Sequence, residues 1–258
     1  MKERSDIDWN TLLQTPLDRR RFLELLGAGT ALVLLEGGCD LALGPRRNEL
    51  PFDPSSEFIA EIQKSVAPIR RILTPAMREF DIKLHQGRNG IAHGDSLSHN
   101  EIHILLPDTS ADSLQLGREV AVHEATHIFN FSNGNFPWKY LKDEMIKRAG
   151  KNKYSKNEFN ILTESTYSDN PLWDGMGHPR KNYNEQLAST VSIMRYHHQQ
   201  FMERINLLNP TDKRFMATTG LVAMDTLVKF AAVPTDYNDL GFDPQLITYL
   251  RQEGQPAV

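Results

Sequence analysis

Hydrophobic positions recur with helical spacing at Phe58, Ile59, Ile62 and Val66, directly after Ser55 and Ser56, either of which can cap a helix. Pro68 ends or kinks that helix, and Thr74-Pro75 opens a second short one through Met77 and Phe80. The period then changes. Ile82 and Leu84 alternate with polar neighbours, and Gly87, Gly90 and Gly94 mark turns. Asn100 to Leu106 is the clearest strand: Ile102, Ile104 and Leu106 share one face, and Pro107 stops it. Asp108 to Asp112 supplies caps for a helix from about Ser113 to Phe129, buried through Leu116, Val120 and Ile128 and ended by Asn133-Gly134. The rest reads as helical. Asn157–Ser168 is one candidate. Asn184 caps another with the stripe Leu187, Val191, Met194, His198, Phe201 and Ile205. Phe215–Phe230 and Gln245–Glu253 follow. The fold class expected is α+β, with a small sheet early and a mostly helical second half.

Composition narrows the class. The chain has 258 residues, 40% hydrophobic and 24% charged, as in globular proteins. Its net charge is −4, with no basic stripe interleaved with aromatics, so no nucleic-acid partner is expected. Cys39 is the single cysteine, which excludes an intrachain disulfide and a cysteine-based zinc site.

Asp18-Arg19-Arg20-Arg21-Phe22-Leu23-Glu24 precedes an apolar run from Leu25 to Leu35, too short for the roughly 20 residues of a membrane span. The segment resembles a twin-arginine export signal. Leu35-Glu36-Gly37-Gly38-Cys39 resembles a bacterial lipobox, with Glu36 departing from the small or apolar residue usual there. These resemblances imply a signal peptide over residues 1–38, acylation of Cys39, and export by the twin-arginine machinery to the cell envelope, with a lipid anchor at a membrane surface. Residues 39–55, with Pro45, Pro51 and Pro54, read as a tether, and residues 56–258 as one domain.

The candidate chemistry lies in His123-Glu124-Ala125-Thr126-His127. Residues four apart stack on one helix face, so both imidazoles can grip one zinc ion while Glu124 faces its water as general base. About 0.02 such matches are expected by chance in a chain of this composition. Catalytic zinc takes a third protein ligand. A histidine six residues after the second, with a glycine between, is absent: Asn130 and Asn133 occupy those positions. Glu185 and Glu164 are the carboxylate candidates. The stripe from Leu187 faces nearly opposite Glu185, as it would if Glu185 were a surface acid at a helix start.

Asn184-Glu185-Gln186-Leu187-Ala188-Ser189 resembles the segment that carries the third ligand in gluzincin metallopeptidases. The resemblance implies a zincin-like fold, with a small mixed sheet behind the active-site helix. It also implies zinc held by His123, His127 and Glu185, and hydrolysis of peptide or protein substrates. Such families often place an acid where Ser189 stands, to orient the first histidine. They usually add a Tyr or His for the oxyanion, for which His178 and Tyr183 are candidates, and their edge strand accepts substrate, for which Asn100–Leu106 is the candidate. Two other classes stay open: an envelope binding or assembly protein on the same fold without catalysis, and a hydrolase of non-peptide amides.

Overall fold

The computed structural model describes residues 52–86, 93–98 (as backbone), 101–149 and 183–254. The signal segment, Cys39, the helix candidate at Asn157–Ser168, Glu164 and His178 lie outside them.

Ser55 caps the first helix, α1 (Ser56–Ser65): its hydroxyl accepts from the Phe58 amide at 3.1 Å. Phe58, Ile62 and Val66 are buried, as the spacing predicts. Pro68 ends α1 without ending helical geometry. Its missing N–H is harmless in a first turn, so α2 (Ala67–Ile72) restarts around it. The segment after Thr74 is only a single 3-10 turn, Pro75–Met77, with no side-chain cap.

Three strands follow: β1 (Asp81–Gln86), β2 (His93–Ser98) and β3 (Glu101–Leu106). Their order is β1-β3-β2, with β1–β3 parallel and β2–β3 antiparallel. The sheet is therefore mixed. β3 is its central strand, which corrects the expectation of a substrate-accepting edge there: both of its sides already carry a ladder. β2 has no apolar alternation in His-Gly-Asp-Ser-Leu-Ser, and Gly94 lies within it rather than in a turn. Ile102, Ile104 and Leu106 are fully buried, while Glu101, His103 and Leu105 on the other face are half-buried.

Ser110 caps α3 (Ala111–Ser132), accepting from the Ser113 amide, with Asp108 receiving both the Ser110 amide and the Ser113 hydroxyl. At 22 residues α3 is about 33 Å long. Every residue from Glu119 to Asn130 is buried. Gly117 explains how closely neighbours approach: a Cβ there would stand 2.7 Å from Ile62 of α1 and 3.3 Å from Leu106 of β3. The helix ends in a tight turn, with Gly134 and Asn135 in the left-handed region at φ +64° and +63°. α4 (Phe136–Ala149) restarts at once, a helix the spacing rules do not predict.

The long helix expected after Asn184 is two: α5 (Tyr183–Tyr196) and α6 (His198–Asn206), broken at His197. α5 opens at Tyr183, so Asn184 lies inside its first turn rather than capping it. α7 (Pro210–Lys229), capped by Asn209, and α8 (Pro244–Gly254) complete the fold. One continuous apolar core runs from Phe58 to Leu250. The architecture is α+β and mostly helical. No helix among the described residues is long and apolar enough to cross a membrane.

Candidate metal centre

The middle of α3 is polar on one side although it is buried all round. Val120, Ala121, Ala125, Ile128 and Phe129 fill the core, while Glu119, His123, Glu124, His127 and Asn130 bring polar atoms inside. Burying such groups is unfavourable unless each finds a partner. Much of that partnership comes from α5.

His123 Nε2 and His127 Nε2 stand 3.1 Å apart, one helical turn separating their residues. Glu185 Oε2, on the first turn of α5, lies 3.3 Å from each nitrogen. The three side chains are only 3–5% exposed. Glu185 is therefore not a surface acid. Leu187, Val191 and Met194 bury the opposite side of α5, so the helix is enclosed on both faces and a one-sided stripe does not describe it. Burial alone would push the Glu185 carboxyl up; the hydrogen bonds and charges of His127 and His123 outweigh it and hold the group far below the usual carboxylate range.

These distances test the site against a metal. Zinc bonds of about 2.0–2.1 Å in tetrahedral geometry put neighbouring ligand atoms about 3.3–3.4 Å apart. The triangle of 3.1, 3.3 and 3.3 Å has that size. Glu124 belongs to the same buried cluster: ligand atoms of His123, Glu124 and His127 all lie within 4.8 Å of one another, and the group could hold a metal ion. Two carboxylates thus approach the histidines. Glu185 Oε2 is equidistant from the two nitrogens, at 3.3 Å from each.

Asn130, one turn beyond His127, is fully buried and occupied elsewhere. Its amide donates to Asn135 Oδ1 and its oxygen accepts from the Trp138 amide, which locks the α3–α4 turn. Ser189 is fully buried in α5, yet among the described residues its Oγ makes no hydrogen bond, and neither does His123 Nδ1. The hydroxyl does not orient that imidazole. Tyr183 opens α5 two residues before Glu185, with only its backbone described.

A feature the sequence reading missed lies one turn before His123. Glu119 is fully buried, and His197, at the α5–α6 break, meets its Oε1 at 2.7 Å. Gln115 donates to the same oxygen at 3.1 Å, and Ser192 donates to the Glu119 carbonyl at 2.9 Å. These bonds fasten the helix bearing Glu185 to the helix bearing both histidines. The i−4 spacing of Glu119 from His123 was a usable signal; the separation of 78 positions from Glu119 to His197 concealed the other half.

No protein-family model, no curated protein and no solved structure matches this chain. The side-chain chemistry of the centre is what bears on function.

Proposed function

We propose that this protein is a zinc-dependent peptidase of the His-Glu-x-x-His…Glu type, with a zincin-like arrangement of a small mixed sheet against the motif helix. The observation that carries the reading is Glu185 Oε2 at 3.3 Å from both His123 and His127, with Glu124 on the same helix between them. His123, His127 and Glu185 would hold the metal. Bound zinc would supply Lewis acidity, which acidifies water and polarises an amide carbonyl. Glu124 takes the proton of the attacking water as the new C–O bond forms, and passes it to the amine nitrogen as the C–N bond breaks. Low exposure around these groups strengthens each electrostatic interaction. His178 or Tyr183 would stabilise the oxyanion.

In this reading residues 1–38 direct export through the twin-arginine route, Cys39 is acylated, and the enzyme works on peptides or proteins at the cell envelope. Metabolic labelling with a radiolabelled fatty acid tests the anchor: wild type should take up label and Cys39→Ala should not.

A second reading is supported by the near-complete burial of the centre, 3–5% for each ligand side chain, which suits a structural metal in a binding or assembly protein as well. The discriminating experiment measures zinc content and proteolysis together. Peptidase activity in wild type, lost in Glu124→Gln with zinc retained, supports the enzyme. One zinc per chain with no cleavage of denatured envelope proteins supports the structural role. Cleavage of small non-peptide amides alone would redirect the substrate class.

A further inference from the structure

A cavity of about 430 Å³ lies between the last turn of α7, the loop over residues 235–238 and α8. That volume is within the range of small-ligand sites. Val228, Pro244 and Ile247 make part of its lining apolar, while Tyr237, Thr248 and Arg251 bring polar groups to the same space. None of its lining residues belongs to the metal centre.

The loop that forms one wall is fastened to three helices. The Tyr237 hydroxyl donates to Asp225 of α7, which also accepts from Arg148 of α4 at 2.8 Å. Arg71 of α2 pairs with Asp239 at 2.9 Å and donates to Thr235 at 3.3 Å. Asp236 and Asp239 close the loop reciprocally: the Asp236 amide donates to Asp239 Oδ2 at 3.1 Å, and the Asp239 amide to Asp236 Oδ1 at 2.8 Å. A wall fixed in this way needs little ordering when a ligand arrives.

The same contacts sort the charges. Arg71 and Arg148 each meet a carboxylate. Arg251, the cation in the lining, does not: among the described residues its partner is the Tyr237 ring, whose centroid lies 5.2 Å from the guanidinium carbon. A guanidinium over an aromatic ring keeps its N–H edge for a planar anion.

We infer that this cavity binds a small organic monoanion, a carboxylate on a short branched aliphatic group. Arg251 takes the carboxylate, and Val228, Pro244 and Ile247 take the aliphatic part. One guanidinium balances one negative charge, and Asp236 in the lining opposes a second, which disfavours dianions such as phosphate. Free branched-chain acids and the C-terminal residue of a peptide offer the same chemistry, and the acylamino group of the peptide distinguishes them. Binding here needs no metal at the α3–α5 centre.

The test is isothermal titration calorimetry of the full chain at pH 7.5 with a chelator present, folding being checked by circular dichroism. N-acetyl-L-leucine should bind at one equivalent. N-acetyl-L-leucinamide, which lacks the charge, and inorganic phosphate, which lacks the aliphatic group, should each bind at least tenfold more weakly. Arg251→Gln, at an exposed position of α8, should weaken N-acetyl-L-leucine by roughly 10- to 100-fold. Thr248→Trp, also exposed on α8, puts an indole at the cavity and should abolish binding with the charge intact, which keeps the test open should Arg251→Gln not fold. Equal binding of 4-methylpentanoate assigns the site to free acids, and binding tenfold weaker assigns it to peptide C-termini; each supports the site. No binding of either carboxylate at about 10 mM, equal binding of the amide or of phosphate, or wild-type affinity in either folded variant would overturn it.

Discussion

Zinc binding at the α3–α5 centre should stabilise the fold, and the size of the effect follows from the ligand geometry. The three donor atoms are held by packed helices at separations suited to one ion, so in the proposed reading the folded chain would bind zinc through all three at once, which the unfolded chain would not do. At free zinc one hundred times the dissociation constant, linkage adds about 2.7 kcal/mol. For a domain of this size each kcal/mol moves the melting temperature by about 2–4 °C, so the expected rise is about 5–11 °C. Glu185→Ala removes one donor of three. Losing a group behind a ligand already weakens metal binding by as much as about 100-fold, and loss of the ligand itself should do at least that. At the same free zinc the gain then falls to about 0.4 kcal/mol, or under 2 °C. The assay is differential scanning calorimetry of each variant with zinc and with chelator, compared within the variant so that the apo effect of the substitution cancels. A zinc-dependent shift in Glu185→Ala as large as in wild type would refute the three-ligand reasoning. His123→Ala as a second variant would then show whether the imidazoles bind the ion at all.

Four further outcomes follow from other parts of the molecule. Glu124→Gln should keep the zinc-dependent melting shift while peptidase kcat drops by about 10²–10⁴, measured with a fluorogenic peptide; a kcat within threefold of wild type would remove Glu124 from the proton path. His197→Ala removes the partner 2.7 Å from the buried Glu119 carboxyl and should cost about 1–3 kcal/mol in urea unfolding, whereas joint replacement of Glu119 and His197 by leucine should recover most of it. Gly254→Ala would place a Cβ 3.0 Å from the α7 backbone at Ala217 and Thr218, so a substitution that ordinarily strengthens a helix should instead lower stability by about 1–3 kcal/mol; a raised urea midpoint would contradict the close crossing. Burial, and then the hydrogen bond to Asp225, push the Tyr237 hydroxyl up to about 12. Its stabilising contribution is whole below the unfolded value near 10 and is lost as pH rises through about 12. Tyr237→Phe should therefore lose stability less steeply than wild type between about pH 10 and 12, read from urea midpoints at each pH.

Much of the fold was legible from local rules because local physics sets those parts. Ser55 caps α1, alternation marks β1 and β3, and the helix bearing His123 and His127 lies where the caps at Asp108–Asp112 put its start. Elements set by their neighbours were not legible. β2 forms from His-Gly-Asp-Ser-Leu-Ser because β3 offers a free ladder edge, not because its own pattern asks for a strand. α4 follows α3 across a turn too short to show as a loop. The break at His197 divides a stripe that looks continuous, and His197 itself bonds back to α3.

The same division holds at the centre. Two histidines four residues apart with a glutamate between them define one face of a helix by covalent geometry alone, so the sequence by itself pointed to two of the three candidate ligands and to the candidate general base. It left Glu185 and Glu164 in competition, because a carboxylate dozens of residues away can reach the histidines only through packing. Only the tertiary structure laid α5 on α3, enclosed Glu185 on both sides and brought its oxygen to 3.3 Å from both nitrogens. The histidines outside the motif followed the same logic. His85 and His103 are 18 residues apart and meet because β1 and β3 pair in parallel, a register that hydrogen bonding between strands sets and no spacing rule contains.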